Sequence, residues 1–191
     1  MLNKQYTSML QEKDVIFEIF QYATERAKVV GAENIYDFSL GNPSVPAPSI
    51  VNETIVQKVN TLDPLALHGY SPSFGIMETR EKIAAFLNKR YGSSYKASNI
   101  FMAIGAAGAL AHAFRAVTNP GDEIITFAPC FSEYKPYTAG AGLKLTIIPA
   151  DIDTFQINFA AFEAQLNENT TAVLINSPNN PSGIVYSTET I

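Results

Sequence analysis

The chain has 191 residues, room for one sizeable domain with an appended arm, and 47% are hydrophobic against 16% charged, which suits a packed interior and excludes a disordered chain. Thirteen basic against eighteen acidic residues give a net charge of −5 without charge blocks, so neither nucleic acid nor an anionic membrane surface is an expected partner. No apolar stretch reaches the ~20 residues that span a bilayer, and Met1–Tyr6 leads into polar sequence instead of the apolar core of a secretion signal. Cys130 stands alone and cannot close an internal disulfide, which points to a reducing compartment, the cytoplasm.

In chain order, Glu12 to Val30 reads as an amphipathic helix with Ile16, Ile19, Phe20, Ala23 and Ala27 on one stripe and Gly31 as its stop. Asp37–Leu40 reads as a short extended piece, followed by a loop over 41–48 that three prolines hold extended. Ser49 is the expected N-cap of a helix carrying Val51, Ile55 and Val59. A loop over 63–75 carries His68, Tyr70, Pro72 and Phe74, and a helix from about Ile76 to Tyr91 closes at Gly92.

From Asn99 onward, short apolar runs alternate with helical ones. Ile100–Ile104, Ile124–Phe127, Lys144–Ile148 and Ala172–Ile175 read as strands. Ala106–Val117 and Phe159–Leu166 read as helices, with Phe131–Ala139 helical or irregular and 119–122 a turn. Such alternation means βαβ units, hence an α/β fold with a parallel sheet and helices on its faces. Parallel strands share one carboxyl edge. Gly105, Phe131 and Asn180 each follow the expected end of a strand, so one crevice there could gather all three.

Three motifs fall on that edge. Gly105-Ala106-Ala107-Gly108 joins a strand to a helix; small residues there either let an anion approach free N–H groups or pack the helix tightly on the sheet. A dinucleotide site is disfavoured, because the Gly-x-Gly-x-x-Gly spacing is absent and Phe127 stands where an acid should hold the ribose. Phe131 is either core or a platform for a flat heteroaromatic ring. Asn176-Ser177-Pro178-Asn179-Asn180-Pro181-Ser182-Gly183 reads as a stiff shelf presenting Asn179 and Asn180. Cys130 lacks a histidine at a comparable strand end to activate it, His112 reads as structural, and no His/Cys/carboxylate spacing suggests a metal.

With these pieces in order, the chain resembles the N-terminal half of a class I/II aminotransferase, a pyridoxal-phosphate enzyme of fold type I. The resemblance runs from about Phe38 to Ile191 through four blocks: Ser39-Leu40-Gly41-Asn42-Pro43, Gly69-Tyr70 through Gly75 to Arg80, Gly105 to Tyr134 with Asn119-Pro120-Gly121-Asp122-Glu123 inside it, and Asn176 to Gly183. It implies a partial three-layer α/β/α, mostly parallel sheet over residues 46–191, an incomplete cofactor-binding large domain, preceded by an N-terminal helical arm over 1–45. It implies pyridoxal 5′-phosphate as cofactor, its phosphate on Gly105, Ala106 and Ala107, its ring on Phe131 and its phenolic oxygen on Asn180. Gly41 matches the position that approaches the substrate carboxylate. Tyr70 matches a tyrosine that reaches the phosphate of a neighbouring subunit, so a homodimer with shared sites is implied. Arg80 matches a position explained by structure.

The implied reaction moves an amino group between an amino acid and a 2-oxo acid. The family's Schiff-base lysine, its pyridine-pairing aspartate with a partner tyrosine, and its carboxylate-binding arginine all lie beyond Ile191. No catalytic residue is therefore assigned here, since Lys135 and Lys144 fall at positions that the family uses otherwise. The segment from Tyr186 begins as a helix with Ser187 or Thr188 as cap. The chain is read as a fragment, inactive by itself, of a parent about twice as long. The alternatives are a carbon–sulfur or carbon–carbon lyase of the same fold, and a non-catalytic aminotransferase-like fragment.

Overall fold

The computed structural model describes residues 4–9, 15–39, 41 and 43–191. Glu12, Leu40 and Asn42, named in the sequence reading, lie outside the described residues. The chain forms two compact units, the first ending at Ser73 and the second covering Phe74–Ile191.

In the first unit, helices α1 (Lys4–Met9), α2 (Val15–Val30), α3 (Ser49–Thr61) and α4 (Pro64–His68) follow one another. Neither α2 nor α3 buries any residue, although both carry apolar stripes. Ser49 does not cap α3 as expected; Pro48 holds the N-cap position and Ser49 is the first helical residue. Proline's fixed φ of −54° leads into the helix without a side-chain bond. Helix α4 lies inside what reads as loop. Asp63 caps it, accepting from the N–H groups of Leu65 (2.9 Å) and Ala66 (3.1 Å), with Pro64 at the position that lacks a donor to satisfy.

The second unit opens with α5 (Met77–Tyr91), closed by Gly92 in the left-handed conformation (φ +66°) that a side chain would strain. Arg80 on this helix is buried; its Nε donates to the Ile100 carbonyl at 2.9 Å and its guanidinium lies 5.9 Å from the Phe74 ring centre. Its place is thus structural. Phe101 meets the edge of Phe74 and of His112, so the segment after α5 is pinned by rings.

Helix α6 (Gly105–Val117), β1 (Glu123–Phe127), α7 (Tyr134–Gly140), β2 (Lys144–Ile148), α8 (Phe159–Gln165) and β3 (Thr170–Val173) complete the unit. The three strands form one parallel sheet in the order β2-β1-β3. Central β1 is buried at all five positions, as expected of a parallel strand covered on both faces. Ile124 faces Phe114 of α6 and Tyr137 of α7, whereas Ile125 and Phe127 face Ala161 and Phe162 of α8. Alternation along one strand therefore fills two cores, and the result is a three-layer α/β/α sandwich.

Two strand expectations change. Ile100–Ile104 is not a strand: Ile100 has extended backbone, but no strand pairs with the segment among the described residues. An apolar run becomes a strand only when a neighbour accepts its backbone bonds. The last strand starts at Thr170, two residues earlier than expected, and ends at Val173. Its register shifts where Thr170 opposes Glu123 and Ala172 opposes Ile124, leaving Thr171 bulged out of the pairing.

Candidate functional site

Because β1 and β3 are adjacent and parallel, the loops after them leave the same edge of the sheet. Phe131 lies in the first loop and Asn180 in the second. Helix α6 runs into β1 through the turn 118–122, in which Asp122 Oδ2 accepts from Asn119 N–H at 2.8 Å. The helix packs on the sheet through Leu110 and Phe114, so it runs back along β1. Its thirteen residues rise about 20 Å, enough to span the roughly 17 Å of the five-residue strand. The start of α6 therefore stands at the level of the carboxyl edge.

That start is an open surface of backbone donors. Gly105, Ala106 and Ala107 are exposed, and the first N–H of this turn with a backbone acceptor is that of Gly108, to Ile104 at 3.3 Å. The preceding three have no such acceptor among the described residues, as the first turn of a helix requires. Gly105 has φ +66°, and a Cβ added there would meet nothing within 4 Å. At Gly108 an added Cβ would find only Ile104 at 3.8 Å, an ordinary contact. Packing therefore demands glycine at neither position. Backbone conformation demands it at Gly105.

The loop after β1 carries Cys130, Phe131 and Tyr134. Phe131 is half-buried and meets Tyr134 edge-on, with ring centres 5.7 Å apart. Burial pushes the Cys130 thiol up, while Lys135 nearby pulls it back. A thiol held protonated is a poor nucleophile, in keeping with the reading of Cys130 as unreactive. Burial also raises the Tyr134 hydroxyl, with added repulsion from Cys130, Tyr186 and Tyr137.

The shelf after β3 separates its two asparagines. Asn179 is buried, and its Oδ1 accepts from Ser182 N–H (3.1 Å) and Oγ (2.8 Å) while its backbone exchanges bonds with Gly183 and Ile184. It builds the turn. Asn180 is exposed, with its amide outside that turn. Tyr186, buried to 6% exposure, follows this shelf, and its N–H donates to Ser177 Oγ at 3.1 Å. Its burial carries no signal in the sequence, which reads the segment from Tyr186 as the start of a helix.

Gly41 and Tyr70 belong to the first unit. Gly41 is exposed, with open space around its Cα, and Tyr70 is fully exposed. Lys144 begins β2 at the amino edge, opposite to the loops just described, and pairs with Glu123. Lys135 lies in the first turn of α7. Among the described residues no three His, Cys, Asp or Glu side chains group as metal ligands, and no helix is long and apolar enough to cross a membrane.

The family model for aminotransferase class I and II matches residues 32–191. The chain belongs to this family. An aspartate aminotransferase of Thermotoga maritima is 34% identical over 168 residues, covering 87% of this chain and 44% of its own length. The solved structure of an amino transferase from Eubacterium rectale is 49% identical, superposes with a TM-score of 0.93, and is covered over 48% of its length by the whole of this chain. An aspartate aminotransferase of Thermus thermophilus, solved with maleate, superposes at 0.84 with 25% identity and the same coverage. The chain thus spans about half the length of the aminotransferases it matches.

Proposed function

We propose that this chain supplies the cofactor-phosphate side of an aminotransferase site, the parent polypeptide moving an amino group between an amino acid and a 2-oxo acid. The observation that carries this reading is the open row of N–H groups at Gly105, Ala106 and Ala107, at the level of the edge that Phe131 and Asn180 leave. Pyridoxal 5′-phosphate fits that donor set. Three amides and the positive end of α6 suit a phosphate without a basic side chain, and the Phe131 face suits a flat ring. The exposed Asn180 amide can donate to a phenolic oxygen. When bound, the cofactor supplies the electron-withdrawing ring and carbonyl that transamination needs. The protein's part is to hold the phosphate, orient the ring and fix the proton at that oxygen.

In the same reading, Gly41 approaches the substrate carboxylate and exposed Tyr70 serves the phosphate of a second copy in a cytoplasmic homodimer. The lysine that binds the cofactor covalently belongs to the half of the family's length that this chain does not span. Joining this chain to the second half of the Eubacterium rectale relative tests the reading. The hybrid should turn over amino acids only when a 2-oxo acid is present, and the chain alone should show no turnover. Amino-acid breakdown without an oxo acid would favour the lyase alternative, and a folded hybrid inactive with every donor would contradict both.

A further inference from the structure

We propose that Gln156 is a positioning residue whose side-chain amide fastens the asparagine shelf to the loop between β2 and α8, and so holds Asn180 in place at the sheet's carboxyl edge. Its purpose rests on the pocket reading above; the fastening does not. A tight turn presents Gln156. Asp151 Oδ1 accepts from the N–H groups of Asp153 (3.0 Å) and Thr154 (2.9 Å) and from Thr154 Oγ1 (2.9 Å), and Thr154 Oγ1 accepts from Gln156 N–H at 3.2 Å. The Asp151 N–H donates to the Gln156 carbonyl at 3.1 Å, and the next residue, Ile157, packs on the core of Ile125, Phe127 and Ile148. The Gln156 backbone is thereby tied to the sheet. Its side chain uses both ends of the amide: Nε2 donates to the Val185 carbonyl (3.3 Å), and Oε1 accepts from Ser187 N–H (3.2 Å) and Thr190 Oγ1 (3.0 Å).

The shelf itself is closed. Tyr186 N–H donates to Ser177 Oγ, and within that ring Asn179 N–H donates to the Ile184 carbonyl and Gly183 N–H to the Asn179 carbonyl, both at 2.8 Å. A loop bonded in this way moves as a unit about its attachments. On the entering side, Leu174 N–H donates to the Ile125 carbonyl and the Leu174 carbonyl accepts from Thr126 Oγ1, both at 2.8 Å. On the leaving side, among the described residues, every hydrogen bond from 185–191 to a residue before the shelf goes to Gln156. Gln156 is therefore the second attachment of the loop that carries Asn180.

Magnetic resonance of the isotopically labelled chain without cofactor tests the fastening. Gln156→Met keeps the length of the side chain but neither its donor nor its acceptor. In this variant the Ser187 amide should exchange with solvent about tenfold faster than in the native chain, and the backbone order parameter of Asn180 should fall from about 0.85 toward about 0.6. Gln156→Glu keeps the acceptor bonds and should hold the Ser187 rate within about threefold of native at pH 7. The Leu174 amide should be unchanged in both. Equal Ser187 rates in the native chain and Gln156→Met would overturn the fastening, as would a Gln156→Glu rate equal to that of Gln156→Met. An Asn180 order parameter that stays put while Ser187 opens would overturn the positioning role. A second arm adds pyridoxine 5′-phosphate, which has no aldehyde to modify lysines. Its affinity should fall about threefold in Gln156→Met and no further when Asn180→Ala is already present, the mark of an effect exerted through Asn180. Equal losses in the two backgrounds would also overturn the positioning role. A probe that fails to bind while the cofactor-free differences persist counts against the pocket and leaves the fastening standing.

Discussion

Replacing Glu123 by alanine is expected to lower the unfolding free energy of the second unit by about 2–3 kcal/mol, a large part of the margin of a small domain. Glu123 is 2% exposed at the start of β1 and ties all three strands together. Its Oε1 accepts from Asn167 Nδ2 (2.8 Å) and Thr170 Oγ1 (3.1 Å), its Oε2 accepts from Thr146 Oγ1 (2.8 Å), and it pairs with Lys144. Alanine would take the acceptor from half-buried Thr146 and Thr170 and from exposed Asn167, and would leave a gap where the three strands meet. Lys144 and these hydrogen bonds, outweighing burial, hold the Glu123 carboxyl down to about 2 from its ordinary 4.5.

The sign of the pH dependence follows. A carboxyl depressed on folding stabilises at pH values above 4.5, and that contribution fades as pH falls from 4.5 through about 2. The full shift is worth roughly 3 kcal/mol, and nearer 2 once the solvent screening of the two-thirds-exposed Lys144 is allowed for. Urea titrations from pH 7 to pH 2 should therefore show a steep acid limb in the native chain. Glu123→Gln should be less stable at pH 7 and flatter below pH 4.5. An acid limb unchanged in Glu123→Gln would show that other groups drive the acid response.

Replacing Gly105 by valine is expected to weaken retention of pyridoxal 5′-phosphate by the completed enzyme about 10- to 100-fold, the worth of one hydrogen bond to a charged group. A β-branched residue resists φ +66° at a cost of about 1–2 kcal/mol, so the chain would turn its first amides away from their present direction. Gly108→Ala is the control, because a methyl group fits there against Ile104; its affinity should stay within about threefold of native. Equilibrium dialysis of the hybrid described above measures both. Equal losses in the two variants would return the Gly105–Gly108 stretch to a packing role.

The layered α/β architecture was legible because it rests on periodicity: Ile124–Phe127 and Lys144–Ile148 are strands within one residue of expectation, and Gly92 ends its helix where a left-handed residue must. Pairing was not legible. Ile100–Ile104 has a strand's composition, but composition cannot say whether a neighbour exists. Thr170 and Thr171 lie outside the apolar run Ala172–Ile175 that reads as the strand, although Thr170 opens β3 and bonds Glu123. Helix α4 could have been read from Asp63-Pro64, a cap followed by a proline in the first turn. The loops that carry the candidate residues were legible as the segments after β1 and β3. Which asparagine builds the turn and which faces outward depends on Ser182 reaching Asn179, and a sequence gives no such distance. Glu123 acts through contacts with residues 21 to 47 positions away, which no local pattern records.

A titration of the isotopically labelled chain with pyridoxine 5′-phosphate, followed by amide chemical shifts, asks directly whether one hollow receives the cofactor. The shifts should concentrate on the backbone amides of Gly105, Ala106 and Ala107, on Phe131, and on the Asn180 side-chain amide, all saturating with one affinity. Shifts confined to other surfaces, or separate affinities at Gly105 and Asn180, would mean that these residues do not serve a common ligand.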